Sequence, residues 1–182
     1  MMALGGFQVD GQVGDADTSA VKLPRFVAAL VFLLSMSYAG AFAAEKYKVG
    51  DTFAPFAAKD QHEKSYTYEG GARLVIVAFE MGAGKAANAY LEKQPAEFLD
   101  THKAIFISNI HGMPGIGRMF ALPKMKKYPH RILLADEENF LVRYPAQQDL
   151  LTVLSLDDKG VITAIRHVNP KKDMASIFAG AK

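Results

Sequence analysis

The stretch that decides the fold is residues 73–91, which read Arg73-Leu-Val-Ile-Val-Ala-Phe-Glu-Met-Gly-Ala-Gly-Lys-Ala-Ala-Asn-Ala-Tyr-Leu91. Leu74 to Phe79 is an unbroken apolar run, which is typical of a strand buried on both faces of a sheet. Two glycines follow, so we expect a turn and then a helix from about Ala86. In α/β sheets, ligands and reacting groups lie at the carboxyl ends of parallel strands. The pattern therefore predicts a candidate site between Glu80 and Asn88.

The composition limits the classes of protein to which the chain can belong. Its 182 residues are 50% hydrophobic and 22% charged, which suits one globular domain. A formal net charge of +2 is too small for a nucleic-acid-binding surface, so we predict no nucleic-acid partner. Cysteine is absent, which excludes disulfides, thiolate metal sites and thiol catalysis.

The N-terminal part has the features of a secretory signal. Lys22 and Arg25 flank an apolar segment, and Ala41-Phe-Ala43 matches a cleavage pattern. We predict an over-extended or disordered leader at 1–20, a signal peptide at 21–43 and a single domain at 44–182. The mature protein is then periplasmic. The alternative is an uncleaved anchor, since 26–44 approaches the ~20 apolar residues that span a bilayer, and this would be its only membrane contact.

The remaining elements follow from hydrophobic periodicity and turn signals. Pro95 interrupts the helical segment and predicts a kink or two shorter helices. The hairpin around Asp157-Asp-Lys-Gly160 is the strongest turn signal in the chain. The other predicted elements are a hairpin within 57–68, strands at 104–109 and 131–136, an apolar return strand at 140–144, a glycine loop at 110–117, a helix from Arg118 to about Lys127, and a last helix at 174–179.

This order of elements resembles the thioredoxin-like fold in its peroxiredoxin and TlpA-like form, from about Val49 to Ala179. The motifs that carry the resemblance are Val49-Gly-Asp51 with Pro55-Phe56, and Leu154-Ser-Leu-Asp-Asp-Lys-Gly160. More narrowly, Met113-Pro-Gly-Ile-Gly117 and Lys126-Lys-Tyr-Pro129 are similar to the small periplasmic YtfJ family. The resemblance implies an α/β three-layer sandwich, with a central mixed sheet, helices on both faces and an N-terminal β-hairpin.

The departures from that family decide the functional prediction. Its two redox cysteines fall at Gly84 and Ala87, and its cis-proline falls at Leu151. Thiol–disulfide exchange needs a thiolate, so oxidoreductase and peroxidase activities are excluded. We therefore predict a redox-inactive binding or assembly module, not an enzyme, that holds a periplasmic protein or an extended peptide in the vestigial groove.

Six residues are candidates for binding: Glu80, Lys85, Asn88, His111, Arg118 and Leu151. His111 follows a predicted parallel strand and would converge with Lys85 and Leu151, although it could equally be a solvated loop histidine. Arg118 could assist a phosphate over the glycine loop. The alternative function is a non-thiol enzyme, or a protein that binds a small anion or cofactor through the helix N-terminus with Lys85 and His111.

Catalytic residues, cofactors and metals are not predicted. The five histidines lack metal-ligand spacings, and no nucleophile–base pair is evident. A basic cluster at the end of the predicted helix 118–127 is interpreted as a solvated helix end, with an anionic lipid or acidic partner as the alternative. The cluster consists of Lys124, Lys126, Lys127, His130 and Arg131.

Overall fold

The computed structural model of the chain describes residues 45–179, and all of them belong to one unit. The strands and helices alternate in the order expected of an α/β protein. In chain order they are β1 Phe56–Asp60, β2 Ser65–Tyr68, β3 Leu74–Ala78, α1 Met81–Leu91, α2 Phe98–Thr101, β4 Ala104–Asn109, α3 Gly115–Met125, β5 Leu133–Ala135, β6 Leu151–Leu156, β7 Ile162–Val168 and α4 Met174–Phe178.

The strands form one mixed sheet in the order β2-β1-β5-β4-β3-β6-β7. The central strands β3, β4 and β5 run parallel, and the remaining neighbours pair antiparallel. All five residues of β3 are buried, as its continuous apolar run predicts. Leu74 and Ile76 face one hydrophobic cluster, whereas Val75 and Val77 face the other. The prediction of a central strand buried on both faces is therefore confirmed.

The two faces of the sheet are covered differently. The buried side chains of all four described helices belong to the cluster on the first face. The second face is covered by Tyr47, Phe53, Leu141 and Tyr144, which lie in irregular segments. Tyr47 joins these segments, because its N–H donates to the Arg143 carbonyl at 2.7 Å and Arg143 lies over its ring. In this part of the chain the third layer of the sandwich consists of these segments rather than of helices.

Both helices that border the candidate site begin earlier than predicted. α1 begins at Met81 rather than Ala86, so the glycines belong to its first turns and form no separate turn. Gly84 lies where α1 crosses the sheet, and a Cβ there would lie 3.6 Å from both Ala78 and Ser108. α3 begins at Gly115 rather than Arg118. Sequence reasoning treats glycine as a helix breaker. In a helix that packs against a sheet, favourable packing can offset the conformational entropy that glycine loses.

Several other predictions can be compared with the structure. Both hairpins, the strand at 104–109, the terminal helix and two separate helices around Pro95 are confirmed. The predicted strand at 140–144 is wrong, because Phe140 and Tyr144 donate to carbonyls three residues earlier and form turns. The interpretation of His130 as a solvated side chain is also wrong, since it is 2% exposed.

Candidate functional site

The start of α1 lies at the carboxyl end of β3, where the sequence places the site. Glu80 precedes the helix in an extended conformation, and Met81, 49% exposed, is the first helical residue. Gly84 and Ala87, where the family's cysteines would fall, are both buried within the helix, three and six positions after Met81. Because the helix begins at Met81, this thioether and not Gly84 occupies the helix N-terminus. The described part of the chain has no reactive nucleophile there.

A small cavity lies between α1 and α3, beside the end of β4, and has a volume of about 60 Å³. Three methionines line it, Met81, Met113 and Met125, and we call it the methionine cavity. Lys85 and Lys124 also line it and are exposed. The remaining lining residues are Gly84, Asn88, Ser108, Asn109, Ala121 and Tyr128.

The Asn88 side chain is hydrogen-bonded to a buried histidine next to the methionine cavity. Its Oδ1 accepts a hydrogen bond from His130 Nε2 at 2.8 Å, and both side chains are buried. The His130 ring stacks on Tyr128, with centroids 5.3 Å apart. Its Nδ1 is buried without a hydrogen-bond partner among the described residues. Burial lowers the His130 pKa from 6.5 to about 4, because the charged imidazolium would lose its hydration.

Arg118 and His111 meet at Asp136, which directly follows β5. The Arg118 guanidinium forms a bidentate ion pair with the Asp136 carboxylate and also donates to the Ile110 and Met113 carbonyls. The hydrogen bond from Arg118 lowers the Asp136 pKa. His111 Nδ1 lies 2.9 Å from the Asp136 carbonyl oxygen. These contacts tie the loop before α3 to the end of β5, so Arg118 is engaged inside the chain.

A larger cleft of about 520 Å³ lies between α3 and β1. Six charged residues line it, and among the described residues four of them form ion pairs or side-chain hydrogen bonds, whereas Lys59 and Glu137 form none. Arg118 pairs with Asp136, the Asp60 carboxylate accepts two backbone N–H bonds from its own turn, and Glu63 pairs with Lys126. The cleft is large enough for a small molecule, but most of its charged groups are already engaged within the chain.

The remaining two candidates lie apart from the methionine cavity. Leu151 is fully buried and begins β6, where it pairs with Ala78. Glu80 is exposed, and its Oε2 accepts from the Asp149 N–H at 3.4 Å. Among the described residues Glu80 forms no ion pair with Lys85. The structure thus brings Lys85 and Asn88 together at the cavity, while His111 and Arg118 meet elsewhere and Leu151 is a core residue.

Comparison with solved structures bears on the fold. The chain superposes on a protein described as a thiol:disulfide interchange protein, DsbE, from Chlorobium tepidum with a TM-score of 0.51 and 12% identity, covering 75% of this chain and 99% of that one. The chain has a thioredoxin-like fold. Two further matches are a thioredoxin domain of a thiol-disulfide oxidoreductase from Bacteroides vulgatus (TM-score 0.49, 14% identity, 74% and 100% covered) and the peroxidoxin BcpB from Mycobacterium tuberculosis (0.48, 14%, 74% and 99%).

No protein-family model matches the sequence, and a search of curated proteins gives no match. The likeness to the YtfJ family stays a prediction. Within residues 45–179, no cluster of acidic residues and histidines has the geometry to hold a metal ion. In the same residues, no helix combines the length and apolarity that crossing a bilayer requires.

Sequence reasoning missed two residues near the site, His130 and Asp136. His130 stands in the run Lys126-Lys-Tyr-Pro-His-Arg131, whose charge suggests a solvated segment. Its one signal is the aromatic Tyr128 two positions earlier, which stacks on it. Asp136 is the last residue of the predicted strand 131–136, at the carboxyl end where functional carboxylates are often found, and that position could have marked it.

Proposed function

We propose that this chain is a redox-inactive, thioredoxin-like binding protein of the periplasm, which holds an apolar side chain of an extended peptide or partner protein in the methionine cavity. The observation that carries the proposal is the lining of that cavity. Met81, Met113 and Met125 surround it at the place in the fold where the thiol site would lie. Methionine side chains are flexible and polarisable, and they suit surfaces that adapt to different apolar groups.

The volume of the cavity favours a side chain over a small-molecule substrate. Small-molecule sites are commonly about 300–1,000 Å³, whereas this cavity has about 60 Å³. Such a space receives the end of one aliphatic side chain, and movement of Met81, which is half exposed, would enlarge it. Lys85 and Lys124 supply positive charge at its edge, which favours a carboxylate beside that apolar side chain.

The arrangement gives less support to an enzyme or to a small-anion site. Glu80 places a carboxylate at the N-terminus of α1, where an anion would otherwise be attracted. His111 contacts the Asp136 backbone carbonyl and does not line the cavity. Within the described residues, no side chain beside the cavity combines a nucleophile with a base.

Site-specific photo-crosslinking in living cells tests the proposal. A photoreactive amino acid replaces Met81, and the matched control places it at Val142, another exposed apolar position. We expect a discrete protein adduct only from the Met81 position. Ala121→Leu, which fills the cavity, should abolish that adduct while leaving the thermal melt close to that of the parent protein. Equal adducts from both positions, or an adduct that survives Ala121→Leu in a folded protein, would contradict the proposal.

A further inference from the structure

The outward face of α3 is apolar along most of its length. Ile116, Met119 and Phe120 are 70%, 62% and 71% exposed, and Pro123 is exposed on the same face. Residues separated by three or four positions are neighbours on a helix, so these four side chains form one surface, which we call the α3 stripe. Contiguous exposed apolar surface is rare on a monomer and marks a place of interaction.

The only charged residue between 115 and 123 is Arg118, and its guanidinium is paired with the Asp136 carboxylate. The stripe therefore has no charged or hydrogen-bonding side chain of its own. Positive charge begins where the stripe ends. Lys124, Lys126 and Lys127 are exposed there, and Lys85 approaches from α1 to line the same cavity as Lys124. Among the described residues only Lys126 of these four forms an ion pair, with Glu63.

An apolar helix face next to a group of lysines matches the interface between a bilayer and water. Apolar side chains of such helices enter the boundary between head groups and acyl chains, while lysines reach anionic phosphates. We propose that α3 docks this protein on a membrane surface that contains anionic phospholipid. The α3 stripe is inserted, and Lys124 and Lys127 contact the head groups.

A protein partner fits the same surface less well. A stable protein interface buries about 800 Å² per partner, which is more than four side chains of one helix supply. Such interfaces also carry about one hydrogen bond per 100–200 Å², and the stripe offers no side chain to form them. Docking on a bilayer requires neither that buried area nor those hydrogen bonds. The inference uses α3's outer face and not the interior of the methionine cavity, so it does not depend on the proposed function.

Vesicle binding of the chain beginning at Ala44 tests this inference. That chain retains every described residue and both hydrophobic clusters. Because the protein has no tryptophan, Phe120→Trp introduces a single fluorescent reporter into the stripe, and Val49→Trp, at an exposed position of the N-terminal segment, is the control. We expect a blue shift for Phe120→Trp with vesicles that contain phosphatidylglycerol, none with phosphatidylcholine alone, and none for Val49→Trp.

Co-sedimentation with the same vesicles measures the affinity. Replacing Ile116 and Phe120 together by serine should weaken binding at least about tenfold, since both substitutions remove large apolar side chains from the contact with the acyl chains. Lys124→Glu with Lys127→Glu should weaken binding and reduce its sensitivity to salt. The inference fails if phosphatidylglycerol vesicles do not bind, or if the serine variant binds like the parent protein. It also fails if light scattering shows a dimer that the serine variant converts to a monomer.

Discussion

Acidification is expected to destabilise this fold through His130. In the folded protein its side chain is buried and its pKa is lowered to about 4, whereas an exposed histidine in the unfolded chain titrates near 6.5. As the pH falls below 6.5, His130 therefore binds a proton in the unfolded chain but not in the folded protein. The free energy of unfolding decreases across this interval, and the His130 contribution is fully lost once the pH is below about 4.

The size of this effect follows from the difference between the two pKa values. Each unit corresponds to about 1.4 kcal/mol, so the full His130 contribution is about 3 kcal/mol, of which about 2 kcal/mol is lost between pH 7 and pH 5. Domains of this kind are stabilised by about 5–15 kcal/mol in total. One buried imidazole thus controls a considerable fraction of the stability.

Urea unfolding over a series of pH values measures the effect in the parent protein and in His130→Gln. Glutamine can still donate to Asn88 but does not titrate, so its curve should lack the loss between pH 7 and pH 5. Carboxylates that titrate at lower pH affect both proteins alike, and the difference between the two curves isolates His130. His111→Gln removes an exposed histidine and is the control. Parallel curves for the parent and His130→Gln would refute the reasoning.

Three further predictions concern the helices around the methionine cavity. Gly84→Ala should raise the free energy of unfolding by up to about 1 kcal/mol in a urea titration, because the added Cβ meets only ordinary contacts at 3.6 Å; destabilisation would contradict this. A thiol introduced by Met81→Cys should react with a disulfide reagent at least about tenfold faster than one introduced by Ala87→Cys, since the first position is half exposed at the helix N-terminus and the second is buried; equal rates would contradict it. Lys124→Glu should weaken both vesicle binding and the cavity crosslink, whereas Lys127→Glu, which does not line the cavity, should weaken vesicle binding alone; a crosslink equally sensitive to both would contradict the assignment.

The sheet was predictable from the sequence because its signals are local. β3 has five apolar residues in succession, and the turn at Asp157 is fixed by its own carboxylate, which accepts from the Lys159 and Val161 N–H groups. The boundaries of α1 were less predictable. Gly82 and Gly84 are read locally as a turn, whereas the packing of α1 against the sheet, where a Cβ on Gly84 would lie 3.6 Å from Ser108 of β4, involves a residue distant in sequence.

The candidate site was harder to predict, because its geometry depends on contacts between distant parts of the chain. His130 stands in a charged run but is held inside by Asn88 and by Gln61, whose amide donates to the His130 carbonyl and accepts from the Ile132 N–H. Gln61 is 69 positions away from His130, and no local sequence pattern predicts that these two residues are hydrogen-bonded. The same holds for Arg118, whose partner Asp136 lies 18 positions later in the chain, directly after β5.

Arg118 also explains why α3 presents the surface that it does. In a typical amphipathic helix of a globular protein, a single charged residue faces water and the apolar residues face the core. Here each of the three guanidinium nitrogens donates to Asp136 or to the carbonyls of the preceding loop, and these bonds fix the rotation of the helix about its axis. Ile116 and Phe120 lie two positions before and after Arg118, about 200° around the helix from it, so they point away from this ion pair. The exposure of the apolar face is thus linked to the ion pair between Arg118 and Asp136, and this face is the surface that the proposed membrane contact would cover.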